Sequence, residues 1–308
     1  MRTLLITFSA LIIGFFLSYL ITVGLNPEVK FWEDLMSHKD RELEKMQGER
    51  VIFAGDSSCT FSVDPTVVGE HMNRDCYNYG GSAFMGPKFM FERVKPHLRS
   101  GDTLVISYIP KILFGLDGGK DFPLGKRMAL RSKNYEMMKI LSHKREPLRD
   151  WMQTIRPGMR TSLVFIARKF SKGRPYAYTL DDYRPLGRLE LSVTASRSKA
   201  VEKFDLIYPD ESGEEFLKEV VKHCEEIGVE VYYSMSWEGT RPEVMNENRE
   251  SRQYFLNRIE PFMSIIPDES LGVLEGFDGF SDTEMHMGPK LSKKRSLFLG
   301  ETLKSILK

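Results

Sequence analysis

Cysteine is scarce in this chain. Cys59, Cys76 and Cys224 are the only thiols in 308 residues. The count is odd and no C-x-x-C spacing occurs, which argues against a disulfide framework or a cysteine zinc site. Cys59 and Cys76 could still pair outside the cytosol. No asparagine is followed by x-Ser or x-Thr, so no N-glycosylation acceptor is available. No H-E-x-x-H and no Cys/His cluster occurs, so the reading expects neither a metal nor another cofactor. Gly118-Gly119-Lys120-Asp121 has the look of a phosphate loop but lacks the earlier glycine and the following Ser/Thr. Net charge is only +1, without the basic excess of a nucleic-acid binder, and no nucleic-acid partner is expected.

Charge is also missing locally. Thr3 to Leu25, TLLITFSALIIGFFLSYLITVGL, holds 23 residues without a charged side chain. A bilayer core takes roughly 20 helical residues, whereas a cleavable signal has an apolar region of ~7–15 residues and a small-x-small site after it. This run ends in Val-Gly-Leu-Asn-Pro, so residues 1–25 are expected to be a retained transmembrane anchor. Arg2 and the N-terminal amine supply the positive-inside signal, which puts the body outside the cytosol. Residues 26–49 read as a charged juxtamembrane helix and linker, with the folded body starting at about residue 50.

What remains is a globular composition, 41% hydrophobic and 28% charged. Short apolar runs suited to buried parallel strands occur at Arg50–Ala54, Cys76–Tyr79, Thr103–Ile109, Glu230–Trp237 and Ser270–Leu274. Helical patterns separate or follow them at Asp64–Met72, Ala83–Leu98, Gly213–Ile227, Asn246–Ile265 and Pro289–Leu307. Alternation of this kind predicts an α/β, doubly wound, flavodoxin-like fold with a five-stranded parallel sheet and helices on both faces. An insertion at about 112–206 interrupts it. Between Lys111 and Lys199 stand 20 Lys/Arg against 8 Asp/Glu, a basic excess suited to an anionic surface. Lys126, Arg127 and Arg131 are the residues expected to carry that contact.

The chemistry gathers where strands end. In an open parallel sheet, ligands bind beyond the carboxyl ends of the strands. Gly55-Asp56-Ser57 ends the first strand, and Asn78-Tyr79-Gly80-Gly81 ends the second. Glycines there allow sharp turns that free N–H groups for a developing oxyanion. Near the C-terminus, FSDTEMHMG puts Asp282 and His286 before the last helix. A serine hydroxyl needs an imidazole to take its proton, and the imidazole needs a carboxylate to hold its tautomer.

In this order the residues resemble the SGNH/GDSL hydrolase superfamily. Gly55-Asp56-Ser57 matches its first block, Gly80 its second, and Asp282 with His286 its last. The resemblance implies Ser57 as nucleophile, His286 as general base and Asp282 as orienting acid. Asp56, Gly80 and Gly81 are then expected around the oxyanion and substrate, with the Ser57 and Gly80 N–H groups as donors. Two departures stand out. No asparagine follows the third strand, TLVISYIPKILFG, and Asp-x-x-His has become Asp282-x-x-x-His286, leaving Asp278 as a competing acid. With the anchor, this is similar to membrane-tethered members that serve alginate O-acetylation or teichoic-acid D-alanylation. The function implied is a serine esterase or O-acyltransferase on a cell-surface polysaccharide or its precursor. The alternative is a degenerate domain that binds polymer or scaffolds an envelope assembly complex.

Overall fold

The computed structural model describes residues 1–113, 123–142, 147–156, 178–190 and 211–307. Much of the basic insertion, including Gly118–Asp121 and the helical pattern at 161–170, lies outside them.

Helix α1 (Arg2–Tyr19) runs through a π-turn (Leu20–Gly24). Helix α2 (Pro27–Lys45) then starts on Asn26, whose side chain accepts from the N–H groups of Glu28 and Val29, with Pro27 at the first-turn position proline favours. Among the described residues one helical stretch, Arg2–Gly24, is long and apolar enough to cross a membrane.

The body follows as strands and helices in alternation. β1 (Arg50–Gly55) is buried at every position and leads into α3 (Ser57–Ser62) and α4 (Pro65–Met72). β2 (Asp75–Asn78), α5 (Pro87–Val94) and β3 (Thr103–Ser107) come next. α6 (Pro110–Leu113), α7 (Leu124–Arg131), α8 (Tyr135–Leu141) and α9 (Pro147–Ile155) belong to the insertion. α10 (Glu211–Glu226), β4 (Glu230–Tyr233), β5 (Glu238–Thr240) and α11 (Met245–Ile259) resume the alternation. β6 (Ser264–Ile265), β7 (Val273–Glu275) and α12 (Pro289–Ile306) complete the chain.

The main sheet has order β2-β1-β3-β4-β6, and all its pairs are parallel. It is the five-stranded parallel sheet the alternation predicts. Successive β1 side chains alternate between two cores. Val51 and Phe53 pack with Val68 of α4 and with Leu299 and Leu303 of α12. Ile52 and Ala54 face the other core, with Leu35 of α2, Phe89 of α5 and Val220 of α10.

Three expectations are corrected. The fifth strand is Ser264–Ile265 rather than Ser270–Leu274; Val273–Glu275 pairs instead with Glu238–Thr240 in a separate two-stranded sheet. Residues 26–49 are mostly helical as expected, but Leu35, Met36 and Leu43 of α2 are fully buried, so the helix is part of the body that was expected to start at about residue 50. Lys126 and Arg127 are buried and so do not face an anionic surface, and Arg131 is half-buried. Lys126 is buried in an ion pair with Asp150 at 2.7 Å, and buried Arg127 donates to the Thr154 and Arg156 carbonyls. Arg131 donates to the Val23 and Gly24 carbonyls at the end of the π-turn. The two arginines serve helix ends, which leave carbonyls without intrahelical partners.

Candidate active site

The ends of β1 and β3 approach so closely that a Cβ at Gly55 would lie 2.0 Å from the Ser107 carbonyl oxygen. Only glycine fits there. Asp56 follows and caps α3: one carboxylate oxygen accepts from Ser58 N–H at 2.7 Å, the other from Ile109 N–H at 3.0 Å. Asp56 is completely buried, so it lies beneath the sheet edge rather than at the substrate surface where the sequence put it. Burial pushes its carboxyl pKa up, against the two N–H groups that favour the ionised form.

Ser57 opens α3 half-buried, and among the described residues neither its hydroxyl nor its N–H makes a hydrogen bond. Ser58 points the other way. Its Oγ is buried 2.7 Å from Ser236 Oγ, and Ser236 in turn lies 3.4 Å from Ser107 Oγ, to which Arg295 donates. This polar chain under the β1, β3 and β4 ends fixes α3 from below. No local signal marked Ser107, Ser236 or Arg295, because the three come from separate segments of chain.

The loop before α12 is stapled by an antiparallel bridge between Phe280 and Met287. Ser281 N–H donates to the His286 carbonyl, and Thr283 Oγ1 accepts from Met285 and His286 N–H groups. The turn absorbs the extra residue between acid and histidine, leaving His286 Nδ1 2.7 Å from Asp282 Oδ1. Asp278 is exposed and not bonded to the ring among the described residues. Burial would raise the Asp282 pKa, but the hydrogen bond and charge of His286, with the Tyr178 hydroxyl at 3.1 Å, bring it below the ordinary carboxylate value. Tyr178, from the insertion, was not anticipated; the turn-rich YTLDDYRPLG that begins there was the only available hint.

The His286 ring packs 4.4 Å, centroid to centroid, from the Phe61 ring. Ser57 and Phe61 stand four residues apart on α3, hence on one face of the helix. Ser57 therefore shares a face with the ring's neighbour Phe61, and among the described residues no hydrogen bond joins Ser57 to His286. Such bonds are often long without substrate.

Gly80 and Gly81 are less available than their sequence suggests. Gly80 N–H donates to Asn78 Oδ1 at 2.9 Å, and Gly81 N–H to the Gly55 carbonyl at 2.9 Å. Neither is free for an oxyanion in this arrangement. Beneath them Lys39, fully buried, donates from Nζ to the Asn78 and Gly80 carbonyls at 3.0 and 2.6 Å. Burial pulls its ammonium down to about 7, with Cys59 and Glu42 opposing. The unfolded chain keeps this proton to about pH 10. Between about pH 7 and 8, below the range where unfolded thiols titrate, the unfolded state therefore holds more of this proton, and Lys39 should make stability rise with pH by on the order of 1 kcal/mol per unit. Urea unfolding at each pH should show that slope, and Lys39→Met should flatten it. An unchanged slope in the variant would assign the effect elsewhere.

Cys59, Cys76 and Cys224 are all free and buried, and burial raises each thiol to about 12. Among the described residues no group of three or more His, Cys, Asp or Glu side chains could hold a metal ion.

Comparison with known proteins adds little. No family model matches the chain. No curated protein matches it either. A solved structure from Streptococcus pneumonia, provisionally described as a platelet activating factor, aligns over 91% of this chain and 94% of its own, with a TM-score of 0.40 and 10% identity. A likeness of that size carries no inference about chemistry.

Proposed function

We propose that the chain is a membrane-anchored serine esterase or O-acyltransferase that acts on ester groups of a cell-surface polysaccharide or its precursor. One observation carries this reading: the Asp282–His286 pair lies against Phe61, on the helix face that Ser57 opens. In the reaction, His286 Nε2 takes the Ser57 proton as Oγ attacks the ester carbonyl. Asp282 at Nδ1 holds the tautomer and favours the imidazolium that forms. The Ser57 N–H, unengaged at the start of α3, faces the developing oxyanion. Collapse breaks the ester C–O bond, and the imidazolium returns its proton to the leaving alcohol. Water or a sugar hydroxyl then takes the acyl group from Ser57.

A fluorophosphonate should modify the full-length protein in detergent, and peptide mass spectrometry should find the adduct on Ser57 alone. An adduct on Ser58 would shift the nucleophile. No adduct at all would favour the second reading, a degenerate domain that binds polymer or scaffolds an assembly complex. The engaged Gly80 and Gly81 N–H groups are the observation on that side.

A further inference from the structure

The apolar N-terminal stretch spans Arg2–Gly24, but only its first part stands clear of the body. Residues 1–14 are exposed throughout, and protein contact begins at Phe15. Phe15 stacks on Trp151 of α9 with ring centroids 4.8 Å apart. Ser18 Oγ and Thr22 Oγ1 both donate to the Ile155 carbonyl, at 2.6 and 3.0 Å. On the opposite side, Phe16, Leu17 and Leu20 are 64%, 52% and 44% exposed.

Length decides what this means. At 1.5 Å per residue, the clear part of the helix reaches only about 20 Å. A hydrocarbon core is about 30 Å thick. If the helix crosses it, the part beyond Phe15 must lie in the bilayer too, and α9 lies alongside that part. We infer that α9 is seated in the outer interface of the bilayer that holds the anchor, so the domain rests on lipid at a fixed attitude and does not swing from a tether. The inference depends on the membrane anchoring in the proposed function.

α9 has the composition for such a seat. Leu148 and Met152, four residues apart on one face, are 73% and 52% exposed. Arg156 is exposed beside them, with a stem long enough to reach anionic headgroups. The inward face is neutralised as a low-dielectric setting requires. Asp150 pairs with Lys126, and the carbonyls of Thr154, Ile155 and Arg156 near the C-terminal end each have a donor. Lipid is the occupant because α9 packs directly against Phe15, Ser18 and Thr22 of the apolar stretch whose residues 1–14 are exposed throughout.

The test uses the full chain in vesicles of phosphatidylcholine and phosphatidylglycerol. The native cysteines are buried, so single reporters can be placed by Leu11→Cys, Met152→Cys, Leu148→Cys and Glu226→Cys and labelled with a small environment-sensitive fluorophore. Lipids brominated on their acyl chains should quench positions 11, 148 and 152 at least about twofold more than position 226. Bromines near the headgroup should act best at 148 and 152. Quenching at 11 without quenching at 148 or 152 would overturn the seating of α9 and leave the anchor standing. Absence of quenching at 11 would overturn the anchor and the seating together. Equal quenching at 226 would mean general adsorption and would also overturn the seating.

Discussion

Ser57→Ala is expected to lower ester turnover by at least about three orders of magnitude, with His286→Ala close behind. The two act as a unit, so removing either leaves only binding and oxyanion contacts. Asp282→Asn should also cost about three orders of magnitude. The amide can still reach Nδ1, but as a donor it selects the tautomer with the proton on Nε2, where the lone pair is needed. Tyr178→Phe removes one of the contacts to Asp282 and should cost no more than about tenfold. Ser58→Ala separates catalysis from support. It breaks the buried contact to Ser236 and should cost on the order of 1 kcal/mol of stability while most turnover survives. The measurement is p-nitrophenyl acetate hydrolysis by the detergent-solubilised full chain. Full turnover in Ser57→Ala, or loss confined to Ser58→Ala, would remove Ser57 from the mechanism.

The largest effect on stability is expected at Asp102→Ala. Arg50 and Asp102 are buried as a two-point pair, Nη2 to Oδ2 at 2.5 Å and Nε to Oδ1 at 3.0 Å. Asp102 also accepts the backbone N–H groups of Arg50 and Arg99. Arg50 donates further to the carbonyls of Leu43 and His97, so one guanidinium ties α2 to the starts of β1 and β3. Removing the carboxylate leaves a buried cation and two N–H groups without their acceptor. A loss of about 3–5 kcal/mol is expected, a large share of a typical domain's stability. Urea unfolding should show a lower midpoint. Asp102→Leu combined with Arg50→Met should recover part of the loss, since the pair taken away together leaves no lone charge. A double variant no better than Asp102→Ala would point to the backbone N–H groups as the main cost.

The sheet was legible because local pattern carries it. Runs such as VIFAG are apolar enough for a strand buried on both faces, and Gly55-Asp56-Ser57 ends one where ligand sites form. The fifth strand was missed because two residues, Ser264 and Ile265, are too few to show a period. Roles that depend on distant partners left no trace. Lys39 and Arg295 lie fully buried although lysine and arginine are ordinarily exposed, and Lys126 and Arg127 counted as surface charge for the same reason. Gly80 illustrates the limit at the site itself. Its presence suggested a free N–H, but the acceptor, Asn78 Oδ1, sits only two residues away and the local sequence does not reveal the bond.

Helix α2 has a consequence for where the chain can be cut. Hydropathy invites a boundary at Val51, with everything before it treated as leash. A chain trimmed there would lose Trp32, Leu35, Met36 and Leu43, all nearly or fully buried, each contributing about 1.5–3 kcal/mol. Lys39 would go as well, leaving the Asn78 and Gly80 carbonyls without their donor. The sum rivals the whole stability of an ordinary domain. For a chain anchored as proposed, the position of a proteolytic cut therefore decides what survives it. A cut between residues 27 and 49 enters the core itself, whereas a cut near Leu25 spares the Asn26 cap and α2 but removes the buried Thr22 and Val23.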